Sequence, residues 1–357
     1  MKKKILIAVG CVIGLLVVIL VWVSFTFGAF IEGAMSVKKL DEGLYYMEYS
    51  GDDGFDELIA KGGVRTYEEL IPYIISFMTK GFYEPPISTS DTIRYGCSSL
   101  TIRTPEDSVI MGRNFDYPSA TGMILRCKPT KGYETITTFN TDFCNFGEKW
   151  KPEGFANQYM SLVNLFFALD GINEKGLAIA DLVAGDNVET HQNTGKLSLT
   201  TSLAICYMLK NAANVDEALE LLREVDMQSD IGCAHHYAIS DATGRSVAVE
   251  YVDNEMVVVE TPAVANHYLC EQKKNVGLLK GDDRYDRLMN RFNDATGVMS
   301  SLALNESIMS VTQKTQGDNF LGTAWTMVMN LTKPSVTYYS RRHFDKPFYF
   351  DFETSCQ

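Results

Sequence analysis

The sequence predicts an α+β layered domain preceded by one apolar N-terminal helix. Two observations support this fold class. Strand-like segments come first, then helices, then strands and helices again, which is the order of a layered α+β domain. An uncharged stretch also runs from Ile5 to Ile31. Hydrophobic content of 46% and aromatic content of 11% are ordinary for a folded protein of 357 residues.

The N-terminal stretch is long enough to span a bilayer as a helix, and "MKKK" precedes it. Lysines on that side predict a cytoplasmic N-terminus with the rest outside. A cleaved signal peptide is the alternative, but cleavage after Ala29 or Ala34 puts Phe27 or Glu32 where a small residue is expected. We therefore expect residues 1–34 to be a signal anchor, with a membrane-anchored, extracytoplasmic protein, or a secreted one if the segment is cleaved.

Residues 35–96 combine a polar, glycine-containing segment with one amphipathic segment. The polar segment is typical of a linker beside a membrane. Apolar residues at helical spacing predict a helix over Thr66–Tyr83, with Thr66 as N-cap and Glu69 completing a capping box.

The remaining chain, 97–357, reads as one domain. The predicted elements are the strands "CSSLTIR", "SVIMGRN", "MILRCKP", "ETITTFN" and "GLAIADLV", the helices Ser202–Lys210 and Val215–Val225, the hairpin "HHYAISDATGRSVAVEYV", the helices Asp283–Ala295 and Ser307–Thr312, and the strands "AWTMVMNL" and "SVTYYSRR".

Charge and cysteine spacing exclude two classes of protein. A net charge of −13 argues against a nucleic-acid partner, which needs a basic surface. The eight cysteines form no CxxC and no zinc-ligand spacing, so we expect no metal and no cofactor. Most of them are expected to be scattered buried thiols.

One cysteine stands near charged residues. Cys97 opens a strand-like run, a turn at "TPEDS" follows, and the next run ends in "GRNFDYP". A hairpin would bring Cys97 close to Arg113 and Asp116, which lie sixteen and nineteen residues further on.

These motifs resemble the cysteine N-terminal-nucleophile (Ntn) hydrolases, which include penicillin V acylase, bile salt (choloylglycine) hydrolase, acid ceramidase and N-acylethanolamine acid amidase. "CSSLTIRT" is similar to the mature N-terminus of penicillin V acylases, and "GRNFDYP" to the Arg-x-x-Asp strand. "DGINEKGLAIADL", "VVVETPAVANHYL" and "GDDRYDRLMNRF" follow in family order. The resemblance implies a four-layer αββα sandwich for residues 97–357.

The resemblance also implies a site and a chemistry. In that family the first residue of the mature chain supplies both the nucleophilic thiol and, as general base, its own α-amine. The resemblance implies that Cys97 is the nucleophile and the base, that Arg113 lowers the thiol pKa, and that Asp116 holds the amine. It also implies that Asn266 stabilises the oxyanion and that Val183 contributes a backbone N–H to the oxyanion hole. Arg284 would align Asp116 and the amine.

Cys97 has no free amine in the translated chain, so the resemblance implies autocleavage of the Gly96–Cys97 bond. The products would be 1–96 and 97–357, and the chain's own propeptide helix could stay associated. At the position of Val183, penicillin V acylases and bile salt hydrolases carry Tyr or Asn, so this chain departs from their pattern there. The short interval from Asn266 to Arg284 resembles the ceramidase and acid amidase branch.

The expected substrate is a small-molecule N-acyl amide of a fatty acid or a bile acid, whose linear non-peptide amide bond is hydrolysed. Acyl transfer, as in isopenicillin N acyltransferase, is a second possibility, and a catalytically inactive membrane-anchored binding protein is a third. A papain-like Cys–His pair would need one of His191, His235, His236, His267 or His343 as base. His236 lies on an apolar run typical of core packing, and His267 beside Asn266 is the histidine to test.

Overall fold

The computed structural model describes residues 2–82, 96–118, 120–147, 150–185, 188–229, 232–314 and 322–354, with side chains described for 11 and from 13 onward. The helices are α1 (Lys2–Met35), α2 (Phe55–Ala60), α3 (Tyr67–Met78), α4 (Phe155–Met160), α5 (Thr201–Asn211), α6 (Val215–Arg223), α7 (Arg284–Asp294) and α8 (Ser301–Ser310).

The strands are β1 (Lys38–Asp41), β2 (Leu44–Gly51), β3 (Gly96–Arg103), β4 (Val109–Asp116), β5 (Gly122–Pro129), β6 (Thr135–Asn140), β7 (Asp170–Asn173), β8 (Ala178–Val183), β9 (Leu197–Thr200), β10 (Val225–Gln228), β11 (His235–Ser240), β12 (Ser246–Val252), β13 (Glu255–Glu260), β14 (Ala263–Val264), β15 (Thr323–Asn330), β16 (Ser335–Ser340) and β17 (Phe348–Asp351).

Two sheets form the centre of the molecule. The larger has nine strands in the order β1-β2-β5-β6-β7-β8-β11-β12-β13, and only the β2–β5 pair is parallel. The smaller is antiparallel, in the order β14-β3-β4-β15-β16-β17. A short parallel pair, β9 with β10, lies apart from both.

Helices cover the outer faces of the two sheets. α5 packs on β7 and β8 of the nine-stranded sheet, and α6 packs against α5. On the other side, α7 and α8 pack on β3 of the six-stranded sheet. The inner faces meet where β3 contacts β8. The order helix, sheet, sheet, helix agrees with the four layers that the sequence predicts, and every strand of 97–357 that the sequence predicts is present.

The N-terminal helix has an exposed part and a packed part. Large apolar side chains from Ile13 to Trp22 are exposed, and Phe25 is 89% exposed. Phe30 and Ala34, near its end, are buried against the body. Among the described residues, one helix, at Ile13–Met35, is long and apolar enough to cross a membrane. The predicted helix is confirmed, and its anchoring role stays a prediction.

The segment that the sequence predicts as a linker is structured, so that expectation is wrong. Residues 38–51 form the β1–β2 hairpin, and β2 pairs along its whole length with β5. The cause is the run "LYYMEY", whose aromatic and apolar side chains are buried. Glycines and charged residues on both sides hide this strand in the sequence.

Two predicted helices differ from the observed ones in their bounds. α3 ends at Met78, and residues 83–95 lie outside the described part of the chain. Its predicted cap is present, because Glu69 N–H donates to Thr66 Oγ1 at 3.3 Å. The second helix, predicted at Ser307–Thr312, begins earlier, at Ser301, where Ser300 caps it.

Candidate active site

The β3–β4 hairpin brings the predicted residues together. In the antiparallel register Gly96 faces Asp116, and Cys97 faces Phe115. Arg113 faces Ser99, two positions along β3 from the cysteine. The spacing therefore predicted this cluster correctly, because a tight turn joins the two strands.

The thiol of Cys97 is completely buried. Its Sγ lies 3.6 Å from the carbonyl oxygen of Asp181, and Arg113 Nη2 donates to the same carbonyl at 3.1 Å. Burial raises the pKa of Cys97 to about 12, and the positive charge of Arg113 opposes this without reversing it. Arg113 therefore lowers the thiol pKa as predicted, but burial has the larger effect.

Arg284 connects most of the other predicted residues. Its Nη1 donates to the carbonyl of Cys97 at 2.9 Å and to Asp116 Oδ2 at 3.1 Å, and its Nη2 donates to Asn266 Oδ1 at 2.9 Å. Asp282 binds the same guanidinium through both carboxylate oxygens, at 2.9 and 2.7 Å. This arginine, at the first position of α7, therefore fixes three parts of the site at once.

The backbone nitrogen of Cys97 donates to Asn266 Oδ1 at 2.6 Å. The side chain predicted to hold that nitrogen, Asp116, instead accepts from Arg284 and from Thr323 Oγ1, the latter at 2.6 Å. Burial raises the pKa of Asp116 although Arg284 lies beside it. The Asp116 carboxylate thus lies opposite Gly96, within the same network but bound to other partners.

Asn266 also contacts the predicted oxyanion position. Its Nδ2 donates to the carbonyl of Val183 at 2.8 Å, at the end of β8. Val183 pairs with His235 across the sheet. The roles of Asn266 and Val183 in binding an oxyanion stay predictions, and the Asn266 side chain links the nitrogen of Cys97 to the carbonyl of Val183.

Two buried acids that the sequence reasoning did not single out complete the site. Asp170 Oδ2 lies 2.8 Å from Arg113 Nε and accepts from Trp325 Nε1 at 3.0 Å. Asp181, whose carbonyl contacts Cys97, has its carboxylate 2.9 Å from His235 Nδ1. Asp170 is the first residue of the quoted motif "DGINEKGLAIADL". Its place in that motif was the one signal in the sequence that could have identified it as a site residue.

His235 joins the acid to a second thiol. Its Nε2 lies 3.7 Å from Cys233 Sγ. Burial opposes a charged imidazole here, but the Asp181 carboxylate raises the pKa of His235 to about 10. His236, one residue on, is buried and paired with Glu250 Oε1 at 3.1 Å, so its predicted place in the core is confirmed.

His267 is buried, with its ring 5.2 Å from Tyr285 in an edge-to-face arrangement. Burial lowers the pKa of His267. Neither His267 nor His236 replaces Asn266 and Arg284 around the backbone of Cys97. Within the described residues no group of three His, Cys, Asp or Glu side chains could hold a metal ion, and none of the described cysteines is in a disulfide.

An apolar cavity of about 480 Å³ lies beside this network. Asp181 and His235 form part of its wall, and Asp181 is also the residue whose carbonyl oxygen contacts Cys97 Sγ. Helix α3 forms one side and segment 143–146 forms part of the rest. Its apolar lining residues include Ile71, Ile74, Ile75, Met78, Phe139, Phe143, Phe146, Tyr159, Met160, Val163, Phe167 and Leu169. The size is that of pockets for drug-sized ligands.

Comparisons with known proteins agree with this geometry. Residues 97–268 match the family of linear amide C–N hydrolases, choloylglycine hydrolase family. A penicillin V acylase of Pectobacterium atrosepticum is 32% identical over an alignment of 100 residues that covers 25% of this chain and 26% of that protein. The match therefore spans about a quarter of that relative's length.

Solved structures extend the likeness to most of the fold. Penicillin V acylase from Agrobacterium tumefaciens superposes with a TM-score of 0.53 and 17% identity, over 72% of this chain and 86% of its own. Conjugated bile acid hydrolase from Clostridium perfringens superposes with a TM-score of 0.51 and 18% identity, over 72% and 92%. Residues 97–268 are therefore similar in sequence to the choloylglycine hydrolase family, and the chain shares its fold with a penicillin V acylase and a conjugated bile acid hydrolase.

Proposed function

We propose that this protein hydrolyses the linear amide bond of N-acyl amides, with Cys97 as nucleophile. One observation supports this above the others: three atoms of Cys97 are each bound by a different group. Its nitrogen donates to Asn266, its carbonyl accepts from Arg284, and its Sγ contacts the Asp181 carbonyl beside the apolar cavity. Such fixed geometry is what a nucleophile and its base require.

The first step in the proposal frees the amine of Cys97. Sγ attacks the carbonyl carbon of Gly96, the Gly96–Cys97 C–N bond breaks, and the nitrogen takes up a proton to become the amine. Water then hydrolyses the resulting thioester, which leaves a carboxylate on Gly96 and a free thiol on Cys97.

The catalytic cycle follows from the freed terminus. The amine, with an ordinary pKa of about 7.7–8.0, takes the proton of the thiol. The thiolate attacks the amide carbonyl, and Asn266 Nδ2 and the Val183 N–H are the proposed donors to the oxyanion. The C–N bond breaks, the amine product leaves with the proton, and water hydrolyses the acyl thioester to a carboxylic acid.

The cavity supports an apolar acyl group. Most of its lining side chains are aliphatic or aromatic, and its polar lining residue Asp181 contacts Cys97 through the backbone. A fatty acyl or steroid acyl group would fill the apolar part while its amide carbon lies at the thiol. We further propose that α1 anchors the enzyme in a membrane, with the catalytic domain outside the cytoplasm.

The test has two stages on the purified full chain. Mass spectrometry should find a chain that begins at Cys97, absent in Cys97→Ala and present in the matched variant Cys206→Ala. The processed protein is then assayed against N-acyl ethanolamines, conjugated bile salts, acyl homoserine lactones and penicillin V, with and without an added amine acceptor. Full activity of an intact Cys97→Ala protein would contradict the proposal.

A further inference from the structure

Part of the cavity wall lies next to the packed end of α1. Tyr159 lines the cavity, and its ring lies 6.4 Å from the ring of Phe30 on α1. The Tyr159 hydroxyl donates to the carbonyl of Met78, the last residue of α3 and also a lining residue. The part of the cavity wall at Tyr159 and Met78 is therefore adjacent to the packed end of α1, at Phe30.

Exposed apolar side chains surround this point. Phe82 is 71% exposed, Phe155 is 54% exposed, and Met160 of the cavity lining is exposed beside them. We call these three residues the apolar rim. The ring of Phe155 lies 6.0 Å from that of Tyr159. Phe155 and Met160 lie on α4, and Phe82 follows α3, which the Tyr159–Met78 hydrogen bond joins to α4. Large exposed apolar patches on a surface mark sites of interaction.

The rim is continuous with the exposed surface of α1. The ring of Phe82 lies 6.1 Å from that of Trp22 and 6.4 Å from that of Phe27. Counting about 20 residues from Ile5, the length that spans a bilayer, puts the outer boundary near Trp22, where aromatic side chains are enriched. Phe82 then lies at the level of the lipid headgroups.

One cation accompanies the rim. Lys80 Nζ lies 4.5 Å from the centres of the Phe30 and Phe77 rings, and its side chain is exposed. An exposed lysine whose ammonium lies over two aromatic rings is a fixed positive charge suited to lipid phosphates at an interface. The occupant of this surface is therefore a lipid bilayer, and α1 is the part of the protein that spans it.

We propose that the cavity loads its acyl chain directly from the bilayer through the apolar rim. The inference rests on the proposed function and narrows its substrate class to amides whose acyl chain is dissolved in the membrane. The acyl chain moves from the leaflet past Phe82 and Phe155, between α3 and α4, and its amide reaches Cys97. The acyl chain thus never crosses water.

The test uses the full chain in phosphatidylcholine vesicles with two substrates of one headgroup. One is a long-chain N-acyl ethanolamine in the bilayer, and the other is a soluble short-chain analogue. Phe82→Glu and Phe155→Glu are compared with Leu302→Glu, an exposed apolar residue on α8 in the outer layer of the other sheet. We expect each rim variant to lose about tenfold in kcat/KM on the long-chain substrate alone, because a charge replaces an exposed apolar ring at the proposed contact with the bilayer.

Three outcomes are decisive. Loss on the bilayer substrate with normal turnover of the soluble one, and an unchanged Leu302→Glu, supports the inference. If the rim variants hydrolyse both substrates as fast as the unsubstituted protein does, the inference is overturned and the proposed function stays intact. If the unsubstituted protein hydrolyses neither substrate, both fail.

A second measurement, the quenching of tryptophan fluorescence by lipids, tests the inference if a glutamate variant of the rim folds poorly. Phe155→Trp should be quenched by bromine-labelled lipids beyond the signal of the unsubstituted chain, and Leu302→Trp should not. Absence of that extra quenching also overturns the inference.

Discussion

Arg113 and Asp170 form an ion pair with no exposed surface, with 2.8 Å between Nε and Oδ2. The arginine side chain also approaches the face of Phe115, 5.1 Å from its centre. This pair joins the β3–β4 hairpin, which carries Cys97, to β7 of the other sheet. It therefore couples the alignment of the two sheets to the position of Cys97.

We expect Asp170→Asn to lower the free energy of unfolding by about 3–5 kcal/mol, because it leaves a buried guanidinium without its counter-charge. Chemical denaturation would measure the change. Asp107→Asn, which removes the exposed partner of Arg103, is the control and should cost less than about 1 kcal/mol. Equal effects of the two substitutions would contradict the importance of the buried pair.

Arg284→Lys should reduce kcat by at least about a hundredfold while the protein stays folded. A lysine keeps the charge, but it cannot bind the Cys97 carbonyl, Asp116, Asn266 and Asp282 at once. Steady-state kinetics and the extent of processing would be measured together. Arg287→Lys, an exposed arginine on the same helix, serves as the control, and a normal kcat in Arg284→Lys would rule out the proposed alignment.

His235 predicts a pH dependence of stability. Its folded pKa of about 10 exceeds the ordinary value of 6.5, so its contribution is fully present below about pH 6.5 and is lost as pH rises through 10. The free energy of unfolding should therefore fall with pH in that window, by at most about 1.4 kcal/mol per pH unit. Denaturation curves from pH 6 to 10 should show a flatter profile in His235→Gln than in the exposed control His343→Gln. Parallel profiles would show that His235 is not charged in the folded protein.

The cavity predicts a dependence on acyl chain length. Ile75→Trp adds a large ring to its α3 wall and should raise KM for long-chain amides about tenfold, with little effect on short ones. A series of N-acyl ethanolamines of increasing length would measure it. Leu279→Trp, at an exposed position away from the cavity, is the control. An unchanged length preference would mean that the acyl chain lies elsewhere.

The sequence predicted the features that depend on local spacing. Cys97, Arg113 and Asp116 lie on one hairpin, so the intervals between them determine their distances once the turn is recognised. Asn266 and Arg284 were predicted only through a family resemblance, because no local pattern connects either of them to residue 97.

Other features depend on pairings that are distant in sequence. β2 pairs in parallel with β5, far along the chain, and nothing near "LYYMEY" indicates that partner. His235 and Asp181 meet because β11 pairs with β8 in one particular register, with Tyr237 opposite Asp181. A shift of one residue would separate them, and alternating apolar residues do not reveal the register.

The parallel pairing of β2 with β5 has a mechanical consequence. A break after Gly96 would cut the backbone without separating the pieces, since eight residue pairs from Leu44 to Gly51 keep the first piece in the sheet. The processed enzyme would then be a two-chain complex that migrates as one particle until it is denatured. Loss of the first piece would expose the edge of β5, which invites aggregation. The cut chain would thus stay tethered wherever α1 is held, without a covalent bond, by strand hydrogen bonds and by the buried side chains of the first piece.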